Sequence, residues 1–540
     1  MRKILFASLM SVLMGLSATV PSHSSSGNGM PEWVENAVIY EINVRQYSND
    51  SSLDSVTSDL PRLKDLGVNV LWLMPIYPIS EMGRLGSLGS YYAVKDYLSV
   101  NPEFGTDQDL TEFVTAAHQQ GFKVILDWVA NHTGWDHPWI AQHPEWYVHE
   151  NEDPNSPIVS PNGWNDVAQL NYQNSYLRAT MIDAMKHWVT GFDIDGYRCD
   201  FASGVPVDFW SEASAQLNAI KPLFMLAEAE GVPGHLNGPF DSEYAWTFKD
   251  KFNALANLGM GVAGLDYLVT ERLNSHPQDT AAMLFITNHD ENSWNGTEYQ
   301  RLEKNVSVMT VLYFTLPGIP LVYNGQEISM NHALAFFDKD PIDWSQGKDN
   351  IVLQKMIELK RNSPALAVGM NRGEYQRINV GNSSVLVFLR TASDEKVLVV
   401  ANVSAAAQPI TINLGANASA FREVLTNVLT TLPSQYRLTV PAHGYRVLTT
   451  NLAGGINAPV KSIKLSVSKL SLKVGKTRAI TTKLSPTFPS DPRVRWSSSK
   501  RTVATVSSAG VITAKKRGTA TIYARTSNPR VFAKVLVTVK

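Results

Sequence analysis

Two acidic side chains and one guanidinium carry the chemistry this sequence could perform. In Gly191-Phe192-Asp193-Ile194-Asp195-Gly196-Tyr197-Arg198-Cys199-Asp200, apolar alternation predicts a strand with Arg198 and Asp200 on one face. A guanidinium beside a carboxylate favours the ionised form, so Arg198 is expected to lower the pKa of Asp200. The second acid is Glu228, directly after the apolar run Met225-Leu226-Ala227. One ionised and one protonated carboxyl about 5–5.5 Å apart are what a retaining displacement at a sugar acetal needs. The ends of adjacent parallel strands, roughly 4.8 Å apart, can deliver that separation. Burial and acidic neighbours are expected to raise Glu228 and keep it protonated. Glu230 shares the parity of Glu228 and stays open as the alternative acid.

Two further strand ends are of the same kind. One reads Asp127-Trp128-Val129-Ala130-Asn131-His132 and the other Thr287-Asn288-His289-Asp290. A single Asp at a strand end is more often a helix cap than a catalyst. Four polar ends in order, with an Arg and two His among them, are not explained by capping.

The elements that must position these groups alternate from about Glu32 onward. Strands are expected at Ala37–Ile42, Val68–Met74, Phe122–Asp127, Asp193–Asp200, Leu223–Glu228, about Ala245–Phe248, Ala281–Thr287 and Ile319–Tyr323. Helical patterns such as Leu53–Leu66 and Thr106–Gln120 lie between them, closed by Gly67 and Gly121. Eight β-then-α units predict a (β/α)8 barrel over 27–368, with its chemistry at the carboxyl ends of the strands. A Pro- and Trp-rich insertion, 133–174, follows the third strand and is expected to overhang that face. Trp135, Trp164 and Trp294 fall on loops over it, either as sugar-stacking surfaces or as pins for the loops. Residues 369–452 read as a small all-β domain, 453–460 as a turn-rich linker and 461–540 as a second all-β domain.

Composition narrows the class. The chain has 540 residues, with 47 Lys+Arg against 49 Asp+Glu, so nothing recommends a nucleic-acid partner. Arg2 and Lys3 ahead of the apolar run Ile4–Leu16 predict an export signal and spacer over 1–26, and hence a periplasmic or extracellular protein. Val306–Tyr323 is apolar, but Pro317-Gly318-Ile319-Pro320 breaks it, so no membrane span is expected after signal removal. Cys199 is the only cysteine, which excludes an intramolecular disulfide and suggests a small buried side chain.

On these motifs the chain resembles the α-amylase family of glycoside hydrolases, family 13, over roughly 32–450. The matching pieces are DWVANH, GYRCD, the Glu of MLAEAE, TNHD, and Tyr92-Ala93-Val94-Lys95-Asp96-Tyr97 with Val100-Asn101-Pro102. Residues 461–540 resemble a bacterial Ig-like domain of group 2, through Leu472–Gly475, Val494–Ser498, Val503–Val506, Gly510–Ala514 and Gly518–Ala520. The resemblance implies Asp200 as nucleophile, Glu228 as general acid/base and Asp290 on the sugar 2- and 3-hydroxyls. It implies that Arg198 keeps Asp200 ionised and that His132 and His289 bind hydroxyls. Tyr92 would stack under the ring, with Asp127 shaping the floor.

Two departures bear on metal. Ser203 and Gly204 stand where many members carry Lys-His, and Gln169 stands where an acid is usual. Losing these donors weakens the case for a structural calcium, with Asn131 the remaining candidate ligand. No cofactor is expected in the chemistry. The implied activity is exported, retaining hydrolysis of α-1,4 bonds in starch or maltooligosaccharides. The alternatives are an α-glucosidase, a cyclomaltodextrinase- or neopullulanase-type hydrolase, a 4-α-glucanotransferase, or a non-catalytic glucan-binding surface protein. The Ig-like domain is expected to space the enzyme from a cell surface or to add weak glycan contact.

Overall fold

A computed structural model describes residues 29–345, 347–451, 462–485, 494–507, 510–526 and 531–540. The expected export signal and the linker at 453–460 lie outside the described residues. Ten short strands lie among helices over the described residues of the first two thirds of the chain. They are β1 (Ile39–Ile42), β2 (Val70–Leu73), β3 (Lys123–Val129), β4 (His132–Gly134), β5 (Val167–Gln169), β6 (Gly196–Asp200), β7 (Phe224–Ala227), β8 (Ser242–Tyr244), β9 (Ala281–Leu284) and β10 (Ile319–Tyr323). Eight close into a parallel barrel in the order β1-β10-β9-β8-β7-β6-β3-β2, while β4 and β5 pair as an antiparallel ribbon within the insertion. The (β/α)8 expectation holds, and helices such as Leu53–Leu66 and Asp107–Gln119 form the outer layer.

Local sequence explains the helix starts. Ser52 caps Leu53–Leu66 by accepting from the Ser55 N–H, and Gly67 ends it at φ 99°. Thr106 and Asp109 form a reciprocal capping box at the start of Asp107–Gln119. Asn174 accepts from the Tyr176 and Leu177 N–H groups ahead of Ser175–Phe192.

Three strands have a limit that differs from expectation by three residues or more. The sixth barrel strand is β8, and Trp246–Asn257, which covers most of the expected strand, is helical. The true strand is only three residues long and contains Ser242 and Glu243, so no apolar alternation marks it. The fourth strand starts at Gly196, because the helix runs through Phe192 and ends on Asp193 in the left-handed region at φ 58°. The seventh strand ends at Leu284, three residues before Thr287.

Alternate residues of the barrel strands share one face. At the amino end that inner face is apolar, with Ile39, Val70, Ile125, Phe224, Ile319 and Leu321 in one buried cluster. Two residues further along the strands the same face turns polar, with Glu41, Asp127, Arg198 and Asp200. The core thus ends where the chemistry begins.

The segment after the barrel forms a six-stranded antiparallel sheet with a two-stranded ribbon beside it. Arg390, buried on its strand Val385–Ala392, donates to Thr315 O at 2.8 Å and so ties this domain to the barrel. The described residues from 462 onward form antiparallel strand pairs and one parallel pair, Lys469–Leu472 with Phe532–Val539, around their own core, and Trp496 packs against that core. Among the described residues, no helix is long and apolar enough to cross a membrane. Cys199 is a buried free thiol.

Candidate active site

One guanidinium gathers three acids. Arg198 Nη1 donates to Asp127 Oδ1 and to Asp200 Oδ1, each at 2.9 Å, and its Nε donates to the Tyr244 hydroxyl at 3.1 Å. Its Nη2 lies 3.0 Å from Glu228 Oε1, off the N–H axis, which makes an ion pair without a well-aligned hydrogen bond. These contacts follow from register, since Asp127 pairs with Arg198 across β3–β6 and Arg198 with Leu226 across β6–β7. Glu228 sits one residue beyond β7, where its N–H donates to Cys199 O at 3.0 Å. Its Oε2 accepts from the Phe201 N–H at 2.7 Å. Phe201 provides that donor by adopting the left-handed region at φ 39°, a strained conformation of the kind that gathers at functional sites.

Electrostatics correct one expectation. Burial pushes Asp200 up to about 6, and the Arg198 guanidinium only pulls part of that back. With three carboxyls on one guanidinium, the positive charge is shared too widely to hold Asp200 in the usual carboxylate range. Glu228 goes further, pushed by burial to about 7, with Asp200 and Asp290 adding to the rise and Arg198 opposing it. The order needed for an ionised Asp200 beside a protonated Glu228 is therefore kept, by a margin of environment rather than by ion pairing alone. Asp127 is raised by burial to about 6.

The other expected site residues converge on the same place. Asn288 caps the helix His289–Trp294 by accepting from the Glu291 N–H, which puts His289 and Asp290 in its first turn. His289 Nε2 lies 2.8 Å from the Tyr92 hydroxyl and 3.3 Å from Asp290 Oδ2. The Tyr92 hydroxyl donates to Asp127 Oδ2 at 3.2 Å, and its ring stacks on His289 with centroids 5.5 Å apart. Burial alone would lower His289, but Asp290 and Glu41 overcome it and hold the imidazolium up to about 9. Burial lowers His132 to about 4, so it is a neutral ring against Trp164.

Tyr92, His132, Asp200, Glu228, His289 and Asp290 all line one cavity of about 450 Å³. Arg198 and Asp127 lie buried beneath it. Trp164 and Trp294 line it too, 41% and 55% exposed. Trp135 is the loop pin: its Nε1 donates to Asn165 O at 2.9 Å and its ring packs on the core. Glu230, the alternative acid, is engaged elsewhere, with Arg272 at 2.9 Å and with the Thr247 N–H and hydroxyl.

Sequence reasoning missed Glu41, whose Oε1 accepts from His289 Nδ1 at 2.5 Å. The available signal was a lone acid inside the apolar run Ala37–Ile42. It also missed Phe336, Phe337 and Leu85 on the cavity wall, which no local pattern marks.

The expected calcium donors at this place are Asn131 and the backbone at Gly204. A Cβ at Gly204 would lie 2.6 Å from Asn131 Oδ1 and 2.5 Å from the Phe201 ring, so the Asn131 amide and the Phe201 side chain occupy the space beside this backbone. No three His, Cys, Asp or Glu side chains among the described residues could hold a metal ion together. The donor set does not fit a calcium site at this place.

Three families of known proteins match along the chain. The family described as Alpha amylase, catalytic domain, matches residues 44–410. Maltogenic Amylase, C-terminal domain, matches 375–447, and Bacterial Ig-like domain (group 2) matches 459–538. The chain is 27% identical over 403 residues to the Alpha-amylase MalA of Haloarcula japonica, covering 72% of this chain and 58% of that protein. The crystal structure of an alpha-amylase from Lactobacillus plantarum is 31% identical with a TM-score of 0.68, over 77% of this chain and 99% of that one. That of a noncanonic maltogenic alpha-amylase, AmyB from Thermotoga neapolitana, is 28% identical with a TM-score of 0.69, over 77% and 98%.

Proposed function

Because the chain belongs to the α-amylase family of glycoside hydrolases, we propose that it is a retaining hydrolase of α-1,4-glucans, with starch or maltooligosaccharides as substrates. One observation carries this: Arg198 holds Asp200 and Glu228 together at the floor of a cavity, with Asp290 beside them. Asp200, the lower of the two in pKa, attacks the anomeric carbon. Glu228 gives its proton to the glycosidic oxygen, and the aglycone leaves. The bond formed is an ester between Asp200 and the sugar. Glu228, now a carboxylate, takes a proton from water, whose oxygen displaces Asp200 and restores both groups.

Around that reaction, Tyr92 offers its ring to the cleaved sugar, and the His289 imidazolium and Asp290 meet its hydroxyls. His132, neutral, does the same from the insertion side. Asp127 keeps Arg198 in place and shares its charge.

Asp200→Asn is expected to abolish turnover of maltoheptaose while the folded protein still binds it. Proton NMR on the first turnovers should show the α-anomer, as net retention requires; a β-product would overturn the assignment of Asp200 as nucleophile. The proposal includes export, supported by Arg2, Lys3 and the run Ile4–Leu16. Protein recovered with its amino terminus still at Met1, and only from inside cells, would refute that part. The Ig-like domain is read as a spacer, since Trp496 is packed against its own core.

A further inference from the structure

We infer that two interlocked loops wall off the glycone end of the cleft, so that the enzyme releases glucose or maltose from chain ends instead of cutting within chains. The inference rests on the hydrolase reading above. Direction within the cleft follows from the general acid, because the leaving group must lie on the side from which Glu228 protonates it. Phe201, whose N–H donates to Glu228, packs edge-on against Trp164 at 5.3 Å, so this pair flanks the aglycone side. Tyr92, His289 and Asp290 mark the glycone side.

Beyond Tyr92 on that side the cleft is aromatic. The Phe336 ring lies 6.2 Å from Tyr92 at an interplanar angle of 15°, and Trp294 is 4.9 Å from Phe336. Phe337 follows at 5.1 Å from Phe336. Phe336 and Phe337 belong to the segment after β10, and Leu85, also on the wall, belongs to the segment after β2. For an internal cut, the glucan chain would have to leave between these segments.

They are joined instead. The Leu88 N–H donates to Phe337 O at 3.0 Å. The Ser87 N–H and hydroxyl both donate to Asp338 Oδ1, at 2.8 and 2.6 Å. Gly86, at φ +62°, brings its backbone so close that a Cβ would lie 2.5 Å from Phe337 Cβ. Neither segment hangs free. Gln46 donates to Ala335 O and Asp338 O at 2.7 Å and accepts from the Asp340 N–H at 2.6 Å. Arg45 Nη1 donates to Gly89 O at 2.8 Å and is itself paired with Glu103. Phe337 is two ring contacts from Tyr92, so the wall stands within two sugar rings of the bond that is cleaved.

The test compares maltoheptaose with a p-nitrophenyl maltoheptaoside whose non-reducing end is chemically blocked. The wild-type enzyme should release glucose or maltose first from the free heptaose and leave the blocked substrate almost uncut. Ser87→Ala with Phe337→Ala should open the wall and raise the ratio of blocked to free cleavage by about tenfold or more. Maltotriose and maltotetraose appearing together as the first products from the wild type, or equal cleavage of both substrates, would overturn the wall whether or not the variant folds. So would a folded double variant that still rejects the blocked substrate. No product from maltoheptaose by folded wild type would overturn the hydrolase reading itself, and the wall with it.

Discussion

Two arginines, Arg198 on β6 and Arg272 in the helix Ala263–Ser275, gather carboxylates in opposite ways. Arg272 holds Glu230 and Glu243, and both acids are well provided with donors. Glu230 accepts from Arg272, the Thr247 N–H and the Thr247 hydroxyl, while Glu243 accepts from Arg272 and the Gly231 N–H and contacts His276 at 3.2 Å. Arg198 serves three acids, and Glu228 has beyond it only the Phe201 N–H. The first cluster is a closed anchor for the segment between β7 and β8. The second leaves carboxyl oxygens open to a cavity, raised by burial and short of donors, where a substrate oxygen can complete the set. Glu228 and Glu230 have the same residue type and parity; donor supply separates them.

The largest effect should come from swapping the test between those two glutamates. Glu228→Gln removes the proton donor and should lower kcat by about 10²–10⁴-fold on an unactivated glucan, with little change in melting midpoint. Glu230→Gln should leave kcat at 25 °C near the wild-type value and destabilise the fold by about 1–3 kcal/mol, because Arg272 loses a charged partner. If thermal melts and rates show both variants failing in the same way, the contrast between the clusters is wrong.

An intermediate effect concerns pH. Activity needs Asp200 ionised and Glu228 protonated, so kcat/KM should fall below about 6 as Asp200 takes up a proton. It should fall again above about 7 as Glu228 loses its proton, giving a narrow bell. Glu41→Gln removes one of the two carboxylates that hold His289 up, the other being Asp290, while Arg198 pushes the other way. His289 then loses its proton at lower pH than in the wild type, so KM should rise most on the alkaline side. A uniform rise in KM across the pH range would mean that Glu41 acts through packing alone.

The smallest effect separates the tryptophans. Trp164→Ala should weaken maltoheptaose binding by about 1 kcal/mol through the lost stacking surface. Trp135→Phe removes the indole N–H bond to Asn165 together with part of the ring's packing, and should cost about 1 kcal/mol or more of stability with binding unchanged. Calorimetry on both variants reads the two outcomes.

Much of the fold was legible because barrel strands are short apolar runs, and seven of the eight stand out that way. β8 did not, since Ser242 and Glu243 occupy two of its three positions. Asp200, Glu228, Asp290, Arg198, His132, His289, Tyr92 and Asp127 were found because each lies at or just past a strand end or in a recognisable motif, and the structure brings all eight together around one cavity. Their roles in turnover are the proposal that the variants above test.

By itself, then, the sequence determined which residue types arrive at the carboxyl end of the barrel, because period-2 alternation and motif order are local properties. Only the tertiary structure decided what surrounds them. It engaged Glu230 with Arg272 and Thr247 while leaving Glu228 on the cavity, added Glu41 across the barrel from β1 to His289, and turned the expected depression of Asp200 into a rise. It also brought Gly86 against Phe337, 251 residues apart. Donor supply, burial and loop closure depend on groups far apart in the chain, and no local pattern encodes them.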